Sequence, residues 1–115
     1  MFFEYDSYAY YLCVQPEDMR SGAHRLSQIV VAQMSQDPLS KKMFLFVGKN
    51  RKAVKVLVWD RNGWWLLYKK LCAKGTFAWP ESEEAALQIT AGQIRQFLSG
   101  ENCWRRFPVL YGSVD

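Results

Sequence analysis

Two runs rich in β-branched and aromatic residues, 53–59 (Ala-Val-Lys-Val-Leu-Val-Trp) and 64–70 (Trp-Trp-Leu-Leu-Tyr-Lys-Lys), flank the tetrapeptide Asp60-Arg61-Asn62-Gly63. Strand formers on both sides of turn formers read as a β-hairpin. Asp60 can bond the turn backbone and Gly63 can take positive φ, which favours a type I turn with a Gly bulge; a two-residue Asn62-Gly63 loop is the competing register. In the bulged register Trp59 faces Trp65, Leu57 faces Leu67 and Lys55 faces Lys69; in the other, Lys55 faces Lys70. Both set lysine against lysine, which costs a sheet about 0.2–1 kcal/mol, so a nearby anion would account for the pattern better than stability does. Alternation puts Lys55, Leu57 and Trp59 on one face and Val54, Val56 and Val58 on the other, and the valine side is expected to be the core.

Charge concentrates around this hairpin. Residues 41–74 carry ten of the fifteen basic residues and one acid, Asp60, a net of +9; the remainder carries five bases and ten acids, a net of −5. A basic face on an otherwise acidic molecule suggests a polyanionic partner. Lysines beside exposed rings could grip phosphates while unpaired bases stack on the rings. The plainer alternative is that a C-terminal helix covers the tryptophans and the lysines reach past it to water.

The rest of the chain completes one domain, residues 1–115, with no repeat or long linker at which a second could begin. Half of the residues are hydrophobic, enough for a core. Residues 8–14 suit a strand ended by Pro16. From Asp18 the apolar positions Met19, Ala23, Leu26, Val30 and Met34 recur at helical spacing, and Asp37-Pro38 closes that helix. Further strands are expected at 43–47 and 76–79. Thr90 and Gln93 form a capping-box pair opening a short helix that buries Ile94, Phe97 and Leu98 and stops at Gly100. The predicted fold is α+β: an antiparallel meander of four to five strands packed with a helix in the N-terminal half and a short C-terminal helix.

Catalytic patterns are sparse. His24 is the single histidine, so a Ser-His-Asp or Cys-His mechanism would run through one residue on a helix flank. Asp18, Asp37 and Asp60 could mimic the carboxylate set of a two-metal nuclease, but helix start, pre-proline turn and hairpin corner explain them individually. Cys13, Cys72 and Cys103 are odd in number, widely spaced and lack a CxxC pair, which fits reduced thiols in the cytoplasm. No phosphate-loop, dinucleotide or zinc-protease motif is present. Neither an enzyme nor a cofactor is expected, and no segment has the length and apolarity of a membrane span.

An ordered series of motifs then stands out: Asp18-Met19-Arg20 with Gly22 and Leu26, Asp37-Pro38-x-Ser40, Phe44-x-Phe46-x-Gly48, Lys55-x-Leu57-x-Trp59-Asp60-x-x-Gly63, Leu67-Tyr68-Lys69-x-Leu71, Gly75-x-Phe77-x-Trp79-Pro80 and Trp104-Arg105-Arg106. From about Tyr11 to Arg106 the chain resembles the TnpB-type accessory proteins of bacterial insertion sequences, encoded beside a DDE transposase and distinct from the RNA-guided nucleases that share the TnpB name. Lys41, Lys70, Cys72 and Ala91 depart from that pattern. The resemblance implies a role in transposition beside a separate transposase. Two readings follow. In the first, Arg51, Lys52, Lys55, Lys69, Lys70, Arg105 and Arg106, with Trp59 and Trp65 as stacking rings, contact DNA at element ends or on single strands. In the second, the aromatic face docks on the transposase or another accessory protein. A hidden nuclease activity is a distant third.

Overall fold

A computed structural model of the protein describes residues 7–72, 75–83 and 92. Its elements run β1 (Ala9–Leu12), α1 (Ala23–Met34), β2 (Lys42–Val47), β3 (Ala53–Asp60) and β4 (Gly63–Lys70). They form one four-stranded sheet in the order β1-β2-β3-β4. The α+β class and the meander of β2, β3 and β4 match the expectation. β1 differs, because it joins β2 in parallel, with Tyr11 beside Phe44 and Leu12 beside Leu45. Parallel neighbours need a crossover, and α1 supplies it.

The central strands β2 and β3 are covered on both faces. On one, Tyr10, Leu12, Met43, Leu45, Val47, Val54, Val56 and Val58 pack with Phe77 and Trp79, so the valine side is core as expected. On the other, Leu26, Ile29 and Val30 of α1 cover Phe44, Phe46 and Leu57. That is why β2 reads as an unbroken apolar run: a strand covered on both sides has no polar face to alternate with.

Residues 76–79 are not a strand. The Phe77 N–H donates to Arg51 O at 2.6 Å, and the rings of Phe77 and Trp79 are buried in the core while the Trp79 indole N–H donates to Cys13 O at 2.8 Å. Their alternation reflects two rings packed onto a sheet face, with no ladder to extend. The expected C-terminal helix, residues 90–100, lies outside the described residues.

The helix begins later than its spacing suggests, at Ala23 after an extended Gly22. Asp18 folds the preceding residues into a turn: its carboxylate accepts from Arg20 N at 2.8 Å and from the Arg20 guanidinium at 2.7 Å, and its carbonyl accepts from Ser21 N. Met19 falls at helical spacing by coincidence. It packs under Gly48, where a Cβ would come within 2.8 Å of Met19 Cγ. At the other end Ser35 takes φ 53°, and Asp37 then caps the next turn by accepting from Leu39 N at 2.9 Å.

Candidate nucleic-acid interface

The hairpin adopts a third register. Asp60 pairs with Gly63, leaving Arg61-Asn62 as the loop, and Arg61 takes φ 50°. A slip of one residue sends every side chain of β4 to the opposite face. In the observed register Leu66 joins the helix-side core, Leu67 and Leu71 join the valine-side core, and the Trp64 indole N–H reaches Pro38 O at 3.4 Å. Packing therefore outweighs the local turn preference for glycine in the loop.

This register overturns the expected lysine pair. Lys55 faces Tyr68, Lys69 faces Val54 and Lys70 faces Ala53. Lys69 consequently lies on the valine side, away from Lys55. The Lys55 ammonium donates to Ser21 O at 2.8 Å and sits 5.6 Å from the centre of the Tyr68 ring. It ties the turn before α1 to the sheet, a structural task that the sequence does not reveal. Trp59 and Trp65 are also separated: Trp59 packs edge-on against Trp64 at 5.1 Å on the helix side, whereas Trp65 faces Val58 on the valine side. Trp65 is 45% exposed, its indole N–H donating to Asp60 Oδ2 at 3.0 Å.

The basic residues gather at the opposite end of the hairpin from these rings. Lys49, Arg51 and Lys52 occupy the β2–β3 loop, and Lys69 and Lys70 end β4 beside it, held there by Leu71 N donating to Lys52 O at 2.8 Å. At about 3.4 Å per residue, the six steps from Ala53 to Trp59 separate the two ends by roughly 20 Å. Of the residues expected to form one site, Arg51, Lys52, Lys69 and Lys70 lie at one end of the sheet, with Lys70 on the face of Lys55 and Lys69 on the opposite face; Trp59 and Trp65 do not join them, and Arg105 and Arg106 lie outside the described residues.

Two members escape sequence reasoning. Tyr68, 54% exposed, is the ring that stands among the lysines, on the same face as Lys55 and Lys70. Only the correct register shows it. Lys49 is legible as a loop cation but carries no motif; its charge reaches Asp18.

Between described residues the one ion pair is Arg20–Asp18. Asp18 is held down to about 2, chiefly by its hydrogen bonds from Arg20 with a smaller contribution from Lys49. Cys13 is pushed up to about 11, first by burial and then by the charge of Glu17, which leaves it a protonated core thiol at neutral pH. Asp18, Asp37 and Asp60 each serve a local bond, to Arg20, Leu39 and Trp65 respectively. Among the described residues no three His, Cys, Asp or Glu side chains converge as a metal site, and no helix is long and apolar enough to cross a membrane.

The fold and site define a small α+β domain with a cationic sheet end. The chain belongs to the family described as IS66 Orf2 like protein, whose model matches residues 8–107. It is 35% identical over 88 residues to the uncharacterized protein y4hO of Sinorhizobium fredii, covering 76% of this chain and 75% of that one. It is 26% identical over 95 residues to the uncharacterized protein y4jC of the same organism, covering 83% and 80%. No solved structure matches.

Proposed function

We propose that this chain is a non-catalytic accessory factor in transposition that contacts nucleic acid through the basic end of its sheet. Its family is that of an insertion-sequence reading frame, which supports the process. The placement of Lys49, Arg51, Lys52, Lys69 and Lys70, from two separate chain segments, at one end of the sheet supports the contact. Phosphates would sit against these cations, releasing counterions as they bind, and Tyr68 would offer its face to an unpaired base. Lys55 contributes charge from beneath that ring without leaving Ser21.

Titration against labelled single-stranded and duplex DNA at two salt concentrations tests this reading, with an acidic protein as competitor. Affinity should fall steeply with salt, and Tyr68→Ala should weaken single-strand binding more than duplex binding. No binding at low salt would sink the proposal. Trp65 favours a second reading, docking on the transposase or another accessory protein: a part-exposed ring fixed by its own hydrogen bond suits a protein contact. That reading requires Trp65→Ala to abolish capture of the transposase while DNA binding persists.

A further inference from the structure

Among the described residues β4 is an edge strand, with β3 as its one neighbour in the sheet. Edge strands are commonly shielded by shortness, a proline, a bulge or charged side chains, and on β4 the charges are confined to the last two positions, Lys69 and Lys70. The opposite edge, β1, is four residues long, whereas β4 runs eight residues in continuous register with β3 and holds no proline.

The backbone groups on this edge can be assigned. In a two-residue hairpin the closing pair, here Asp60 with Gly63, exchanges hydrogen bonds across the ladder. Leu71 N donating to Lys52 O confirms the same parity at the far end. Odd-numbered residues of β4 therefore bond to β3, and the N–H and C=O groups of Trp64, Leu66, Tyr68 and Lys70 point away from the sheet. Among the described residues no backbone partner meets them.

We infer that this edge pairs with β4 of a second copy of the chain, antiparallel about a two-fold axis near Leu67. The reason is the polarity of the strand, which is aromatic at its start and cationic at its end. Reversed pairing about that axis sets Trp64 of each copy against Lys70 of the other, an ammonium over an indole, and Leu66 against Tyr68. Both are even-numbered pairs, so the outward backbone groups meet in hydrogen-bonding register. In-register parallel pairing would instead stack Lys70 on Lys70. The antiparallel dimer is isologous and closed, so the one open long edge is used up and no filament grows. It forms a continuous eight-stranded sheet with a basic end at each of two opposite corners. This inference does not rest on the nucleic-acid reading.

Tyr68→Pro tests it, since proline at an even position removes an outward N–H and no ladder bond. Tyr68→Ala is the control, removing the same ring but keeping the N–H. By sedimentation equilibrium the parent and Tyr68→Ala should have twice the chain mass, and Tyr68→Pro the single mass with an unchanged circular dichroism spectrum. Amide exchange on the parent gives an answer even if the proline variant fails to fold: the Leu66, Tyr68 and Lys70 amides should be protected, and that protection should fall on dilution. A parent that is monomeric at its highest soluble concentration, with these amides exchanging at solvent rates, would overturn the inference. So would a folded Tyr68→Pro that stays dimeric. Protection that appears only when another protein is added would assign the edge to a foreign strand and overturn self-pairing.

Discussion

The two ends of the β3–β4 hairpin use the same pair of strands for different purposes. At the tip, Trp59 and Trp64 pack edge to face and Trp65 is bonded to Asp60. At the base, Lys49, Arg51, Lys52, Lys69 and Lys70 surround a loop whose register is already decided elsewhere. The tip therefore carries stability and the base carries charge. The base is not idle in the fold, since the Lys52 ammonium donates to Gly75 O at 3.0 Å.

The largest expected effect tests the core that the two ends share. Val56→Asp would bury an unpaired carboxylate in the valine-side core and cost about 3–5 kcal/mol, a large share of a domain's stability, and should lower the unfolding temperature sharply. A variant that still melts as one unit near the parent temperature would show that the ends are not coupled through this core. Next, Trp64→Ala removes a half-buried ring, its edge-on packing on Trp59 and a hydrogen bond, and should cost about 2 kcal/mol in chemical denaturation. An unchanged midpoint would place the register determinant somewhere other than the tip.

Arg61→Gly should act in the opposite direction. A side chain at φ 50° is strained by about 1 kcal/mol, so glycine should raise the unfolding midpoint by that order. Destabilisation would mean that the arginine side chain makes interactions that outweigh its backbone cost. At the base, Lys69→Gln with Lys70→Gln should leave stability within about 0.5 kcal/mol. The slope of log affinity against log salt should flatten by roughly 0.7–0.9 for each phosphate no longer neutralised. A folded double variant with unchanged slope would remove β4 from the nucleic-acid face.

The smallest effect concerns Asp18. Its carboxyl is held at about 2, below the ordinary 3.8, so the folded chain favours the ionised form. The stabilisation is complete above the ordinary value and disappears as pH falls through about 2. Parent and Asp18→Asn should differ slightly in denaturation midpoint at neutral pH and converge near pH 2. A difference that grows on acidification would assign the Arg20 contact a different role.

Much of this fold is legible from local pattern. The helix at Ala23–Met34 and the valine-side core follow from periodicities of 3.6 and 2, and the strands from β2 to β4 from runs of β-branched and aromatic residues between turn formers. What local pattern cannot supply is long-range. Parallel pairing of β1 with β2 leaves no mark on either strand. Asp60 to Gly63 favours a bulged type I turn, with an Asn62-Gly63 loop competing, yet the burial of Leu66 and Leu67 on opposite faces moves the loop to Arg61-Asn62. Met19 falls on the helical face by spacing alone, and the Asp18 turn takes it to Gly48. The candidate site is legible as charge but not as geometry, because one residue of register decides whether Lys55 meets a lysine or Tyr68.

The crossover through α1 also orders events at birth. β1 is synthesised thirty positions ahead of β2, counting from Leu12 to Lys42. At about 5–20 residues per second, the ribosome leaves β1 without its neighbour for roughly 2–6 s. The β3–β4 hairpin, by contrast, can close within about 1–10 μs of its last residue emerging. The earliest of these strands thus waits longest for its neighbour, and Tyr10, Tyr11 and Leu12 are the apolar stretch left uncovered in that interval.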